Sequence, residues 1–136
     1  MLSIETIHHV SVPITDLERA KAFYRDVLEL KEIPRPPFDF PGAWYQLGDR
    51  QLHLIVGDRS TFRVGKGIDS RDIHFGIWVS SYRGAVEHLQ SKGYRVDDPD
   101  ELRRLRLNPV SKSGLPQIHL LDPDRNVIEI TAERLD

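Results

Sequence analysis

The chain has 136 residues, which by length is about one domain with room for a hydrophobic core. Its 19 basic and 21 acidic side chains give a formal charge of −2, so charge gives no case for a nucleic acid or an anionic membrane as partner. The absence of cysteine excludes disulfides and thiolate chemistry. No apolar run approaches the roughly 20 residues that span a bilayer, and no signal-peptide pattern is present, so we expect a cytoplasmic protein acting on a small molecule.

The first predicted elements are a strand and an amphipathic helix. Val10, Val12 and Ile14 alternate with more polar residues, which is the period-two pattern of a strand with one buried face. Thr15 then begins a capping box that ends at Glu18, and apolar residues follow at helical spacing. Two further strands are predicted in AWYQL and QLHLIVG, which are separated by turn residues.

The same signature returns at His74, where a strand is followed by Ser80 or Ser81 as the cap of a second helix. Strand-like runs then occur in LRRLRL, PQIHLL and VIEITA. The sequence therefore predicts an α+β fold of two βαβββ units, at about 4–58 and 70–134, within a single domain covering 1–136. A loop near Gly57–Ser70 would join them, and their paired, curved mixed sheets would surround a concave site.

Ligand-type side chains concentrate in one strand phase. Each helix must cover one face of its sheet, so the apolar phase points toward the helices and the other phase points away. Imidazole nitrogens and carboxylate oxygens in that second phase suit a divalent transition metal such as Zn, Ni, Co, Mn or Fe, and we predict one metal per site. A single strand histidine is more often structural, which is our interpretation of His8. The grouped candidates are His9, His53, His74, His119 and Glu129.

Three stretches resemble the vicinal oxygen chelate superfamily, also called the glyoxalase/bleomycin resistance/dioxygenase superfamily: HHVSVPITDLERAKAFYRDVLEL, HFGIWVSSY and LLDPDRNVIEI. The resemblance covers essentially the whole chain and implies metal ligands at His9, His74 and Glu129. His53 falls where glyoxalase I-like members carry a glutamate, and we predict it as a fourth ligand. The resemblance also implies a homodimer. It is compatible with a metal site formed within one chain and with one formed across two chains.

One turn departs from the family's pattern. Arg125 stands where the closing motif of the family usually has a glycine. Asn126 follows it and tolerates a left-handed backbone, so we expect the turn to form.

The resemblance implies a metal-dependent lyase or isomerase of glyoxalase type, acting on a small substrate with vicinal oxygens through an enediolate-like intermediate. Glu129 is predicted to serve as both ligand and general base, with His119 or His53 assisting proton transfer. An extradiol-type Fe(II) dioxygenase is an alternative, because two histidines and one carboxylate suit that metal.

Two further alternatives concern other parts of the chain. A fosfomycin resistance-like thiol transferase would use the basic run at Arg103, Arg104 and Arg106 to attract a phosphonate, although interleaved leucines favour an ordinary half-buried strand or loop. A metal-free, bleomycin resistance-like binding protein would sequester a drug on aromatic side chains, and the retained ligand set argues against it. Its candidate aromatics are Trp44, Tyr45 and Trp78, and the proline-rich stretch IPRPPFDFPGAW is predicted as a loop at the cavity rim.

Overall fold

The computed structural model describes residues 1–58 and 65–136. These residues belong to two compact units that share one order of elements, a strand, a helix and three strands. This is the predicted βαβββ repeat, and the fold prediction is confirmed. Part of the predicted joining loop, residues 59–64, lies outside the described residues. Within the described ranges, no helix has both the length and the apolar character needed to cross a membrane.

The first unit is a four-stranded mixed sheet with strand order β1-β4-β3-β2. β1 runs parallel to β4, and the other neighbours are antiparallel. The register places Ser11 opposite His53 on one side of β4 and Trp44 opposite His53 on the other. The elements are β1 (His9–Ile14), α1 (Leu17–Ala22), a π-helical turn (Phe23–Val27), β2 (Glu32–Ile33), β3 (Gly42–Leu47) and β4 (Arg50–Val56).

The second unit repeats this arrangement with strand order β5-β8-β7-β6 and a parallel β5–β8 pair. Glu129 of β8 lies opposite Gly76 on one side and opposite His119 on the other. The elements are β5 (His74–Val79), α2 (Tyr82–Ser91), a 3₁₀ turn (Glu101–Arg103), β6 (Arg106–Asn108), β7 (Gln117–Leu121) and β8 (Val127–Ala132).

The run LRRLRL, predicted as one strand, is divided between the 3₁₀ turn and β6. The Asp100 carboxylate accepts a hydrogen bond from the Leu102 N–H at 2.9 Å, which starts the turn. The Arg104 guanidinium then donates to the carbonyls of Asp98 at 2.6 Å and Pro99 at 3.0 Å. These local bonds hold the backbone in a turn until Arg106, where pairing with β7 begins.

The core lies where the apolar strand phase meets the helices. α1 packs against β3 and β4, and α2 packs against β8. Ala20 is fully buried, and its small side chain lets α1 approach the sheet closely. Burial of each large aliphatic side chain contributes roughly 1.5–3 kcal/mol. The fully buried large side chains include Tyr24, Tyr45, Ile14, Leu52, Leu54, Leu89, Leu105, Ile118, Leu120 and Ile128.

The helix caps confirm one prediction and correct another. Ser81 caps α2, and its hydroxyl accepts the Gly84 N–H at 2.8 Å. The predicted cap at Thr15 is wrong, because Asp16 has the extended backbone of a cap and its carboxylate accepts the Arg19 N–H at 3.0 Å. The Thr15 hydroxyl instead accepts a hydrogen bond from the Arg19 guanidinium at 3.1 Å.

The turn before β8 forms, but Arg125 rather than Asn126 takes the left-handed conformation, with φ of 66°. Such a backbone costs a non-glycine residue about 1–2 kcal/mol. The side chain compensates, because the Arg125 guanidinium donates to the Lys66 carbonyl at 2.6 Å and to the Glu101 carboxylate at 2.9 Å. The two hydrogen bonds of the Arg125 side chain therefore offset the backbone strain that a glycine at this position would avoid.

Candidate metal centre

Three ligand-type side chains of the second unit meet at one carboxylate oxygen. His74 begins β5, and its Nε2 lies 2.9 Å from Oε2 of Glu129 on the neighbouring strand β8. His119 of β7 faces Glu129 from the other side, with its Nε2 3.3 Å from the same oxygen. The candidate ligand atoms of all three lie within 4.8 Å of one another. One carboxylate oxygen therefore lies between two imidazole nitrogens.

The hydrogen bonds of His74 prepare its ring for metal binding. Its Nδ1 lies 2.7 Å from the Asp72 carbonyl oxygen, which can only accept, so Nδ1 carries a hydrogen and donates it. In the neutral ring this leaves the lone pair on Nε2, directed at Glu129. An imidazole lone pair and a carboxylate oxygen at 2.9 Å repel each other unless a proton or a cation lies between them. Metal-binding histidines are commonly oriented by such a bond from the other ring nitrogen.

The Glu129 carboxylate is held by its other oxygen. Oε1 accepts hydrogen bonds from Gln117 Nε2 at 2.9 Å and from the Thr131 hydroxyl at 2.6 Å. Burial acts to raise the pKa of Glu129, but the hydrogen bond from Thr131 and the interactions with His74 and His119 outweigh it, so the pKa is lowered. The carboxylate is therefore anionic at neutral pH and fixed in orientation, as a metal ligand must be.

His119 is buried, and its Nε2 has no hydrogen-bond partner among the described residues. Although Glu129 Oε2 is only 3.3 Å away, the contact lacks the geometry of a hydrogen bond. Burial lowers the pKa of His119, and the opposing attraction of Glu129 does not reverse this effect. A buried nitrogen without a partner costs about 1–3 kcal/mol, so this neutral imidazole is placed to receive a proton or a metal. The three residues fit a divalent transition metal.

His9 and His53 come together in the first unit. The His53 ring stacks on His9, with ring centroids 4.1 Å apart, and on Trp44, with centroids 3.9 Å apart and an interplanar angle of 2°. Its Nε2 lies 2.9 Å from the Gln51 side-chain oxygen. Burial, followed by the neighbouring charges of His9 and His8, lowers the pKa of His53 to about 4. His53 is therefore neutral at pH 7.

The structure thus joins His74, His119 and Glu129 in one unit and His9 with His53 in the other. The sequence pattern groups His119 with the ligand-type side chains but predicts proton transfer for it, and the structure includes it among the possible ligands. The pattern predicts no role for Gln117 and Thr131, which donate hydrogen bonds to Glu129. The strand period could have placed both residues beside Glu129. Thr131 lies two residues after Glu129 on β8, and Gln117 lies two residues before His119 on β7, so all four side chains share one face of the sheet.

The basic run serves the local structure. Arg104 is bound to two backbone carbonyls, and Arg103 donates to the Gly93 carbonyl at 3.3 Å. Arg106 reaches the Ile68 carbonyl at 3.4 Å. These contacts support the interpretation of the run as ordinary structure over that of a phosphonate clamp.

The fold is that of a known superfamily. The family model described as the glyoxalase/bleomycin resistance protein/dioxygenase superfamily matches residues 6–130, and the chain belongs to this superfamily. No match was found among curated proteins.

Solved structures share the fold at low sequence identity. A glyoxalase family protein from Bacillus anthracis has a TM-score of 0.76 at 21% identity, covering 97% of this chain and 98% of that chain. Lactoylglutathione lyase from Agrobacterium tumefaciens has a TM-score of 0.68 at 19% identity, covering 96% and 95%. A mutant of the fosfomycin resistance protein FosX from Listeria monocytogenes, complexed with Mn(II) and 1S,2S-dihydroxypropylphosphonic acid, has a TM-score of 0.71 at 14% identity, covering 96% and 93%.

Proposed function

We propose that this protein is a metal-dependent lyase or isomerase of glyoxalase type that moves a proton on a small substrate carrying vicinal oxygens. The observation that carries the proposal is the anionic Glu129 oxygen between the Nε2 atoms of His74 and His119. His74 and Glu129 would hold the metal, and His9 and His53 stay predicted ligands. A bound divalent metal supplies Lewis acidity that stabilises negative charge on a substrate oxygen. Family membership and the FosX structure with Mn(II) support a divalent ion.

The titration properties of the cluster divide the roles of ligand and base. A lowered pKa makes Glu129 a good anionic ligand and a weak base. His119 is neutral, and its Nε2 has no hydrogen-bond partner among the described residues, so it can accept a proton. We therefore assign proton transfer to His119 and keep Glu129 mainly as a ligand.

The metal is tested by elemental analysis of tag-free protein. About one equivalent of Zn, Ni, Co, Mn or Fe per chain is expected in the wild type, and none in Glu129→Gln, because the amide removes the negative charge. Glu133→Gln is the matched control, since Glu133 is an exposed carboxylate just beyond β8. Metal-free wild type after reconstitution, or equal metal in wild type and Glu129→Gln, would reject the site.

The proton transfer is tested by solvent exchange. With metal-loaded enzyme in D₂O, deuterium should enter the carbon-bound position of an α-hydroxyketone, followed by NMR over a panel of such compounds. His119→Gln should keep the metal and lose about 100- to 10,000-fold in exchange rate, the usual value of a general base. If His119→Gln loses the metal instead, His119 is a ligand rather than the base.

An Fe(II) dioxygenase is the second candidate, because His74, His119 and Glu129 alone form a two-histidine, one-carboxylate set. Oxygen uptake with catechols after anaerobic loading with Fe(II) would support it. Proton exchange without oxygen uptake would favour the lyase or isomerase. The predicted homodimer is tested separately, by sedimentation equilibrium.

A further inference from the structure

An arginine lies among aromatic rings in the loop before β3. We call the set Arg35, Phe38, Phe40 and Trp44 the aromatic face. The guanidinium carbon of Arg35 lies 4.8 Å from the ring centroid of Phe38 and 5.0 Å from that of Phe40. The two phenylalanine rings stack with centroids 5.1 Å apart, and the ring centroids of Phe38 and Trp44 lie 6.1 Å apart. The rings therefore form one continuous apolar surface with a cation upon it.

The charge of Arg35 is not neutralised by the residues that the structure describes. No ion pair links this guanidinium to a carboxylate within the described ranges, and its one hydrogen bond goes from Nη2 to the Phe40 carbonyl at 2.8 Å. Its Nε is buried and has no hydrogen-bond partner in residues 1–58 and 65–136. Buried donors are normally satisfied, and the two phenylalanine rings attract the guanidinium by cation–π interaction without neutralising its charge. The planar guanidinium is suited to a carboxylate, to which it can donate two parallel hydrogen bonds.

The aromatic rings are more exposed than a core would leave them. Phe38 is 45% exposed and Phe40 is 37% exposed, and Trp44 is half-buried. Trp44 in turn stacks on His53, so the aromatic face continues to that histidine. A planar apolar ligand can stack on such a surface, whereas a cationic ligand would compete with Arg35 for the same rings.

The backbone beside the aromatic face is shaped to receive the arginine. A side chain added at Gly42 would collide with the Leu54 carbonyl oxygen and would lie 3.0 Å from Arg35 Nη2. The glycine therefore lets the guanidinium lie directly against β3. Arg35 is held in position by the fold as well as by the rings.

We propose that the aromatic face binds a small planar carboxylate, an aromatic or conjugated acid whose carboxylate pairs with Arg35 and whose ring stacks on Phe38, Phe40 and Trp44. The proposal goes beyond the metal-dependent reaction, because all four residues belong to the first unit and none is a predicted metal ligand. It therefore stands or fails independently of the metal.

The test is a calorimetric titration of the full chain in EDTA with 2-naphthoate and with its neutral analogue 2-naphthamide. The wild type should bind 2-naphthoate saturably and about tenfold more tightly than the amide, since a charge-assisted pair is worth that much. Arg35→Met should remove this discrimination, and Phe38→Leu should weaken both ligands roughly threefold. Arg25→Met is the control, because Arg25 is an exposed arginine of the same unit paired with Asp26.

Any of three outcomes of the titrations with wild type and Arg35→Met would overturn the proposal. They are no saturable binding of 2-naphthoate at millimolar concentration, equal affinity for acid and amide, and unchanged discrimination in Arg35→Met. Thermal unfolding establishes whether the variants fold. Should Arg35→Met not fold, Arg35→Lys replaces it, which keeps the charge but loses the planar fork and should bind 2-naphthoate more weakly than the wild type. Wild-type affinity in Arg35→Lys would then reject the paired geometry. Binding that requires metal and vanishes in EDTA would also reject it.

Discussion

The two units place different chemistry at equivalent positions of the same sheet. In each unit three positions bring their side chains together: the first residue of the first strand, the fourth-last residue of the last strand, and the residue opposite that one on the neighbouring antiparallel strand. The equivalent pairs are His9 with His74, His53 with Glu129, and Trp44 with His119. The first unit forms a stack of rings, and the second forms a carboxylate between two imidazoles.

The repeat therefore determines which three positions of each sheet come together. The residue at the centre of each set, His53 or Glu129, determines which interactions its neighbours make with it. His53 is neutral, so the rings of His9 and Trp44 stack on it without a buried charge between them. Burial of His53 also disfavours its protonated form. Glu129 is anionic, so its neighbours are hydrogen-bond donors and imidazoles that can share a cation with it. The comparison can be tested at each level, beginning with the metal.

The largest expected effect separates the ligands of the two units. His74→Gln and His9→Gln should each lower metal affinity roughly 100- to 1,000-fold if both are ligands, because about 10–16 kcal/mol of binding is shared by about four ligands in structural zinc sites. Competition with a chromogenic chelator measures this affinity, and His88→Gln on α2 is the control for the loss of one imidazole. Wild-type affinity in His9→Gln would show that the ring stack of the first unit is not part of the metal centre.

The next effect is the pH dependence of the ring stack. The folded pKa of His53, about 4, lies below the ordinary value of 6.5, so the unfolded chain takes up this proton first. The stability that depends on neutral His53 is therefore present above about pH 6.5 and is lost as the pH falls toward 4, by up to roughly 3 kcal/mol. Urea unfolding of metal-free protein across this range should show a flatter profile for His53→Gln. Parallel profiles for wild type and variant would contradict the assignment.

A smaller effect concerns the support that only the second unit gives its central residue. Thr131 donates to Glu129, whereas the equivalent position in the first unit is Ile55. Thr131→Val preserves shape and removes the hydroxyl, and it should lower metal affinity about tenfold, as loss of an outer hydrogen bond to a ligand does. Thr15→Val is the matched control away from the cluster. An unchanged affinity would mean that Gln117 alone orients the carboxylate.

Strand phase made much of this arrangement predictable from the sequence. A period of two places His74 and Glu129 on one face, and the repeat makes His9 and His53 their counterparts. The stacking of His53 on Trp44 was not predictable, because it depends on which residues face each other across β3 and β4 and on side-chain rotation. The prediction of one strand over LRRLRL was partly wrong, because a hydrophobic pattern does not reveal the hydrogen bonds from the Arg104 side chain to backbone carbonyls.

The smallest expected effect distinguishes the two helix starts, where the sequence offered adjacent capping candidates. Asp16→Ala should lower the free energy of unfolding by about 1 kcal/mol, and Ser81→Ala by a similar amount, because each leaves an N–H of the first helical turn without its side-chain acceptor. Thr15→Ala should cost less, since the Arg19 N–H keeps its acceptor on Asp16 and the Thr15 hydroxyl accepts an exposed hydrogen bond from the Arg19 side chain. Chemical unfolding of metal-free protein measures all three. A larger loss of stability in Thr15→Ala than in Asp16→Ala would show that the threonine is the cap after all. The expected order would show that each unit has a capped helix after its first strand, although the capping group is a carboxylate in the first unit and a hydroxyl in the second.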